Sequence, residues 1–231
     1  MTASPVLAAL EPVAILIAAG VVGQVGTWRE VRAGRVSIWI GMGVTMGALG
    51  LFSLFTGEIH LTPKVDIPPS VAVGLGSGLL LYLATRVFVA IASAWEMFRR
   101  QTVAIYGNRD QVSLPVALGV AVGLSVPGEE LFWRGLVGGR FGDVVGSAVV
   151  GAAIALAGYV AVCGFSWNLA VVAGALVGGG LWSVLFVWTG GVLSPICSHA
   201  VFTGLMILAP PPAATENAID LTPKPRPRGR G

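Results

Sequence analysis

The sequence predicts an all-α membrane protein, a polytopic bundle of about seven transmembrane helices. Of its 231 residues, 55% are hydrophobic and only 11% are charged, a balance that water-soluble globular domains do not have. Its apolar runs repeatedly reach the ~20 residues that a helix needs to cross a bilayer. The 33 glycines favour close helix contacts, which lipid-embedded packing depends on. The chain is therefore expected to be an integral membrane protein that is embedded in the lipid bilayer.

The first part of the chain, residues 1–110, contains three of the predicted transmembrane helices. They are residues 5–28, 36–56 and 70–98. The segment 57–69 carries three prolines and mixed charges, so it is expected to be a loop. The third span carries Arg86 and Glu96 in its second half, and its end is expected to leave the bilayer as an amphipathic stretch.

The second part, residues 111–208, contains the other four predicted helices. They are residues 113–138, 144–164, 168–188 and 192–209. Arg140 and Asp143 are expected to form the turn between the first two of these helices. The remainder, residues 209–231, is rich in proline and basic residues and contains too few apolar residues to fold, so a disordered basic tail is expected.

The basic residues predict the orientation of the chain in the membrane. They collect in residues 29–35, in residues 99–109 and in the tail, and with seven spans all three segments lie on one side. The excess of Lys and Arg on cytoplasmic loops places that side in the cytoplasm and the amino terminus outside. We expect the plasma membrane of a prokaryote. Because orientation accounts for the net charge of +3, no nucleic-acid partner is predicted.

Three charges lie close together in the fourth apolar span: Glu129, Glu130 and Arg134. A charge at the centre of a bilayer costs roughly 2.5–3.5 kcal/mol, so the cluster indicates a protein-lined cavity that contains water. On a regular helix Glu130 and Arg134 share a face and can pair, whereas Glu129 points about 100° away with no partner in its own turn. Pro127 frees a backbone carbonyl and can kink the helix beside Glu129.

The charged stretch carries a family resemblance. Glu129-Glu130-Leu-Phe-Trp-Arg134-Gly resembles the EExxxR motif of the CPBP family (CAAX protease and bacteriocin-processing, also called Abi). The last span, from Trp188 through His199 to Thr203, is similar to the third motif of that family, a turn, a proline and HxxxN. The resemblance covers residues 111–208. It implies an intramembrane endopeptidase, of the metallo or glutamate type, that cuts a membrane-associated peptide or a substrate similar to a prenylated protein.

The resemblance also implies roles for individual residues. Glu129 would be the general base that activates the attacking water, and His199 would be the second catalytic group. Glu130 and Arg134 would hold the helix in place. No cofactor-binding residue other than a metal ligand is implied.

Two positions depart from the family pattern. The second motif is an aromatic residue followed four positions later by His, and here it corresponds to Tyr159 and Cys163. A thiol is a weak donor, although a thiolate is a good metal ligand. Thr203 replaces an Asn or Asp, and its hydroxyl can still donate to an oxyanion. A divalent metal such as zinc needs about three protein ligands, which Glu129, Cys163 and His199 supply only if they meet.

The sequence leaves other interpretations open. One is a catalytically impaired protein of the same fold that binds a partner or peptide as an immunity or accessory factor, with Cys163 and Thr203 marking lost chemistry. A transporter is less favoured, because the sequence shows no internal repeat. Glu130 with Arg134 can be a purely structural ion pair, and His199 can be a hydrogen-bonding residue between helices. Cys163 can be an ordinary buried small residue.

Overall fold

A computed structural model describes residues 5–56, 59–107 and 112–212, and within these ranges the chain is an all-α bundle of eight helices. The helices are α1 (Pro5–Arg32), α2 (Ile38–Phe55), α3 (Ile67–Ala92), α4 (Glu96–Gly107), α5 (Leu114–Val145), α6 (Ala148–Gly164), α7 (Leu169–Thr189) and α8 (Leu193–Leu208). Among the described residues, α2, α3, α5 and α7 are long and apolar enough to cross a membrane, and α6 and α8 are shorter apolar helices. The predicted class of helical membrane bundle is confirmed, and the number of seven spans stays a prediction. Residues 213–231 of the predicted tail lie outside the described residues.

The loop predicted after α2 and the helix predicted after that loop both end earlier in the structure than expected. The loop predicted over 57–69 stops at Asp66, and Pro68 and Pro69 lie in the first turn of α3. Proline is tolerated there because the first backbone N–H groups of a helix have no helical acceptor. The span predicted over 70–98 is also two helices, since α3 ends at Ala92 and α4 begins at Glu96.

The predicted amphipathic character of the chain beyond Glu96 is present in α4. Phe98 and Thr102 are buried against the bundle, while Arg100 is exposed. Glu96 accepts hydrogen bonds from Arg100 and Arg99, and these two guanidinium groups hold the pKa of Glu96 below its usual range. This carboxylate therefore stays charged at neutral pH, which suits a helix with one polar face.

The turn predicted at Arg140 and Asp143 is wrong, because α5 continues through both residues to Val145. The chain reverses at Gly146, whose φ of 69° lies in the left-handed region. Glycine adopts that conformation without a steric penalty, so the reversal falls at Gly146 and leaves the polar residues before it in the helix.

The winding of α5 changes on both sides of Pro127. Residues Ala121–Ser125 and Glu130–Gly138 are π-helical, with a short α-helical segment between them. π-Helical turns inside α-helices occur frequently at functional sites. The wider turns change the direction of each side chain relative to a regular helix, and the charged motif lies directly in this part of α5.

Helices α2 and α5 cross at a contact between glycines just before the charged motif. A Cβ atom on Gly128 would lie 2.0 Å from the carbonyl oxygen of Met46, and one on Gly50 would lie 2.5 Å from the Cα atom of Gly128. No side chain fits between these backbones. The small residues therefore fix how closely the motif-bearing helix approaches α2.

The Gly128→Ala variant should be less stable than the wild type by about 1–3 kcal/mol, because its methyl group overpacks this crossing. Thermal unfolding in detergent measures the effect. Gly123→Ala is the matched control on the same helix, since a Cβ atom there meets nothing within 4 Å. Equal melting temperatures for the two variants would contradict the proposed role of Gly128.

One end of the bundle carries the basic connections. Arg32, at the end of α1, donates to the carbonyl oxygen of Phe165 at 3.5 Å, and the Asn168 side chain donates to the carbonyl oxygen of Gln101 at 2.9 Å. The α1–α2 connection, helix α4 and the α6–α7 connection therefore lie at the same end.

The opposite end carries the other connections. The backbone N–H of Lys64 donates to the Thr189 carbonyl at 2.7 Å, and that of Val192 donates to the His60 carbonyl at 3.2 Å. The His60 ring also contacts Asp143, near the end of α5, at 3.2 Å. Successive long helices thus run in alternating directions. Which end faces the cytoplasm stays a prediction.

Candidate active site

Glu130 lies at the centre of the buried charges. Its side chain is 0% exposed, and Oε1 accepts hydrogen bonds from Arg134 Nη1 at 3.3 Å and from His199 Nδ1 at 2.8 Å. The predicted Glu130–Arg134 ion pair is confirmed. The carboxylate that contacts His199 is Glu130, and not Glu129, to which the resemblance gives the role of general base. The three groups link α5 to α8 in the interior.

Arg134 is held by contacts with two neighbouring helices. Its Nη2 donates to the carbonyl oxygen of Gly179 on α7 at 3.1 Å. Its guanidinium group lies 4.8 Å from the centre of the Tyr159 ring on α6 and 5.5 Å from the Trp182 ring on α7. Cation–π contacts of this kind stabilise a cation that water does not reach. The arginine therefore fixes the position of α5 against α6 and α7.

Glu129 has partners that the sequence pattern did not predict. Its half-buried carboxylate accepts hydrogen bonds from Ser125 Oγ at 3.2 Å and from the Tyr159 hydroxyl at 2.8 Å. The expectation of no partner in its own turn is wrong, because Ser125 lies four residues earlier on α5. The second motif predicts only an aromatic residue at position 159 and gives no role to the hydroxyl of Tyr159. It distinguishes this residue from an aromatic residue that only packs.

The imidazole of His199 is fixed in two directions. It stacks on Trp182 with ring centres 3.5 Å apart and planes inclined by 15°. Its Nδ1 faces Glu130, and because an ionised carboxylate only accepts, Nδ1 carries the proton. Within the described chain Nε2 has no protein partner. This nitrogen is therefore free to accept a proton from a reacting group.

An apolar cavity of about 410 Å³ lies beside the charged cluster, between α3, α4, α7 and α8. Its walls are mostly apolar and include Leu81, Phe88, Phe98, Ile105, Val177 and Phe202. Tyr159, His199 and Thr203, whose side chains carry polar groups, belong to the same walls. Thr203 lies one helical turn beyond His199 on α8, as the motif spacing predicts.

Two of the predicted site residues do not reach this cavity. Glu129 is absent from its walls, and the Tyr159 side chain, to which Glu129 is hydrogen bonded, lines it. Cys163 is 5% exposed and packs in a mainly apolar cluster that also contains Tyr159, and its thiol interacts with the Tyr159 side chain. Of the three residues that the sequence offers as metal ligands, His199 alone lines this cavity.

The predicted metal ligands do not fit a zinc site. Among the described residues no group of three His, Cys, Asp or Glu side chains is arranged to hold a metal ion. His199 turns Nδ1 to Glu130, and Cys163 lies in the apolar cluster. A zinc ion requires about three protein ligands around one point, which these side chains do not provide.

Comparison with known proteins gives one family. Residues 111–205 match the family described as type II CAAX prenyl endopeptidase Rce1-like. The matched segment contains both motifs that suggested the CPBP resemblance, and the resemblance is confirmed. No curated protein and no solved structure is significantly similar to the chain.

Proposed function

We propose that the protein, whose residues 111–205 match the family of type II CAAX prenyl endopeptidases described as Rce1-like, hydrolyses a peptide bond inside the membrane with Glu129 as general base. The supporting observation is the pair of hydrogen-bonded groups at the cavity. Tyr159 and His199 face the cavity, and each is bonded to one glutamate of the motif. Such positioned acid and base groups typically contribute 10²–10⁴-fold to a rate.

In the proposed reaction, Glu129 takes a proton from water, and the water oxygen attacks the carbonyl carbon of the peptide bond. The Thr203 hydroxyl donates to the oxyanion that forms. The proton taken from water then passes to the leaving amine nitrogen, and the C–N bond breaks. Because Glu129 does not contact His199, we propose that water in the cavity passes this proton to His199 Nε2, which then gives it to the amine nitrogen.

The shape of the cavity supports an apolar substrate. A space of about 410 Å³ with mainly apolar walls suits an aliphatic chain or apolar side chains next to the cleaved bond. We propose a membrane-associated peptide, such as the end of a protein similar to a prenylated protein. Because the walls include α4, this substrate would lie near the basic end of the bundle.

The test is proteolysis of a panel of membrane peptides, with and without attached isoprenoid chains, by purified protein in lipid. Glu129→Gln should lower kcat about 10²–10⁴-fold, because an amide cannot accept the proton from water. Glu96→Gln on α4 is the control. It makes the same replacement of a carboxylate by an amide at an exposed position and should leave cleavage unchanged. Assays with and without chelator show whether a metal takes part. Cleavage that survives Glu129→Gln would overturn the mechanism.

One observation favours the second candidate, a protein of this fold that binds a peptide without cleaving it. The second motif has Cys163 in place of histidine, and Cys163 does not line the cavity, so this motif presents no imidazole there. Saturable peptide binding by wild type and Glu129→Gln alike, with no product from either, would establish that alternative.

A further inference from the structure

Tyr159 connects the cavity to Glu129, a residue that does not line the cavity. Its side chain lines the cavity wall, and its hydroxyl donates to Glu129 Oε2 at 2.8 Å. Glu129 itself does not line the wall. The Tyr159 hydroxyl therefore joins the Glu129 carboxylate to a residue of the cavity wall.

The phenol is held in place by its surroundings. The Arg134 guanidinium lies 4.8 Å from the centre of the ring, and Trp133 contacts the ring from another side with centres 5.9 Å apart. The side chain is only 9% exposed. A ring fixed in this way keeps its hydroxyl on Glu129.

From this geometry we infer that the Tyr159 hydroxyl is a catalytic proton relay between the attacking water and Glu129. Water gives a proton to the phenol oxygen while the phenol proton moves to Glu129 Oε2. The hydroxide oxygen forms its bond to the carbonyl carbon in the same step. Tyr159 ends as a neutral phenol and Glu129 as a neutral acid, so charge and protons balance.

The same residue accounts for the departure at position 163. An imidazole is absent there, and Cys163 lies one helical turn after Tyr159 within an apolar cluster. The hydroxyl of Tyr159 supplies a polar hydrogen that a phenylalanine would lack. The relay thus gives the site a proton-carrying group on α6 without a histidine. It rests on the proposed hydrolysis by Glu129.

The first test replaces Tyr159 by Phe in the peptide-cleavage assay. The relay predicts a fall in kcat of about 10²-fold or more with little change in KM, because the cavity keeps its shape but the proton path is lost. Tyr82→Phe is the matched control. That buried tyrosine on α3 also donates a hydroxyl hydrogen bond, to the Ala209 carbonyl at 2.7 Å, and it lies outside the site. Its kcat should equal that of the wild type.

The second test asks whether Tyr159 and Glu129 act as one unit. Adding Tyr159→Phe to Glu129→Gln should lower the residual rate no further, since the path is already broken. A purely structural tyrosine would lower the rate of both backgrounds by the same factor. A further loss in the double variant equal to that of the single variant would overturn the relay.

A third measurement uses the wild type alone and does not depend on the folding of a variant. Two protons move in the relayed step, so kcat should vary nonlinearly with the fraction of heavy water in the solvent. A linear dependence indicates one moving proton and overturns the relay. Full activity of Tyr159→Phe beside an inactive Glu129→Gln would overturn the relay and leave the hydrolase. Absence of cleavage by the wild type would overturn both proposals.

Discussion

The Arg134→Met variant should lose about 3–5 kcal/mol of stability, because it leaves the Glu130 carboxylate buried without its ion-pair partner. Glu130 is 0% and Arg134 1% exposed, so water cannot replace the lost charge. The variant also loses the bond to the Gly179 carbonyl and both ring contacts of the guanidinium. Thermal unfolding of the protein in detergent, compared with the wild type, measures the change.

The control is the double variant Glu130→Gln with Arg134→Met. Removing the charge from position 130 should recover part of the lost stability, because an amide is much less costly to bury than an unpaired carboxylate. A double variant less stable than Arg134→Met would show that the loss comes from packing around the arginine. A melting temperature of Arg134→Met equal to that of the wild type would contradict the structural importance of the pair.

Replacing His199 by Asn should separate its two functions. The asparagine amide can still donate to Glu130 in place of Nδ1, but nothing replaces Nε2 at the cavity wall. Cleavage should fall about 10²–10⁴-fold while the protein stays nearly as stable as the wild type. Cleavage rates and thermal unfolding are measured on the same preparations.

His199→Ala is the comparison, because it removes both ring nitrogens. It should lose the same activity and in addition about 1.5–3 kcal/mol of stability, the contribution of a hydrogen bond to a charged group. It also removes the ring that stacks on Trp182. Substantial cleavage by His199→Asn would mean that His199 only anchors Glu130, and the proton-carrying role of Nε2 would be abandoned.

Several features of the site follow from the sequence because they depend on local spacing. Glu130 and Arg134 lie four residues apart on α5, and they pair as that spacing predicts. His199 and Thr203 have the same spacing on α8, and both line the cavity. The class of fold is also determined by local sequence. In lipid, each apolar run must satisfy its backbone N–H and C=O groups within itself, and it does so by forming a helix.

The partner of His199 could not be obtained in this way. A regular helix turns about 100° per residue, and that rule separates Glu129 and Glu130 without saying which one meets α8. The π-helical winding of Glu130–Gly138 alters the rule at the motif itself. Only the packing of the helices shows that Glu130 accepts a hydrogen bond from His199 Nδ1 and that Glu129 accepts one from the Tyr159 hydroxyl.

The sequence by itself therefore determined a helical membrane protein with a charged motif, the ion pair within that motif, and a family resemblance over residues 111–208. The tertiary structure alone decided that the Tyr159 hydroxyl binds Glu129, that Cys163 packs in the same buried cluster as Tyr159, and that Gly128 permits the crossing with α2. The physical reason is the range of the interactions. Helix formation and pairing over one turn depend on neighbours in the chain. Contacts between helices depend on how each helix is rotated about its axis and on the distance between the helices, and residues far apart in the sequence determine both.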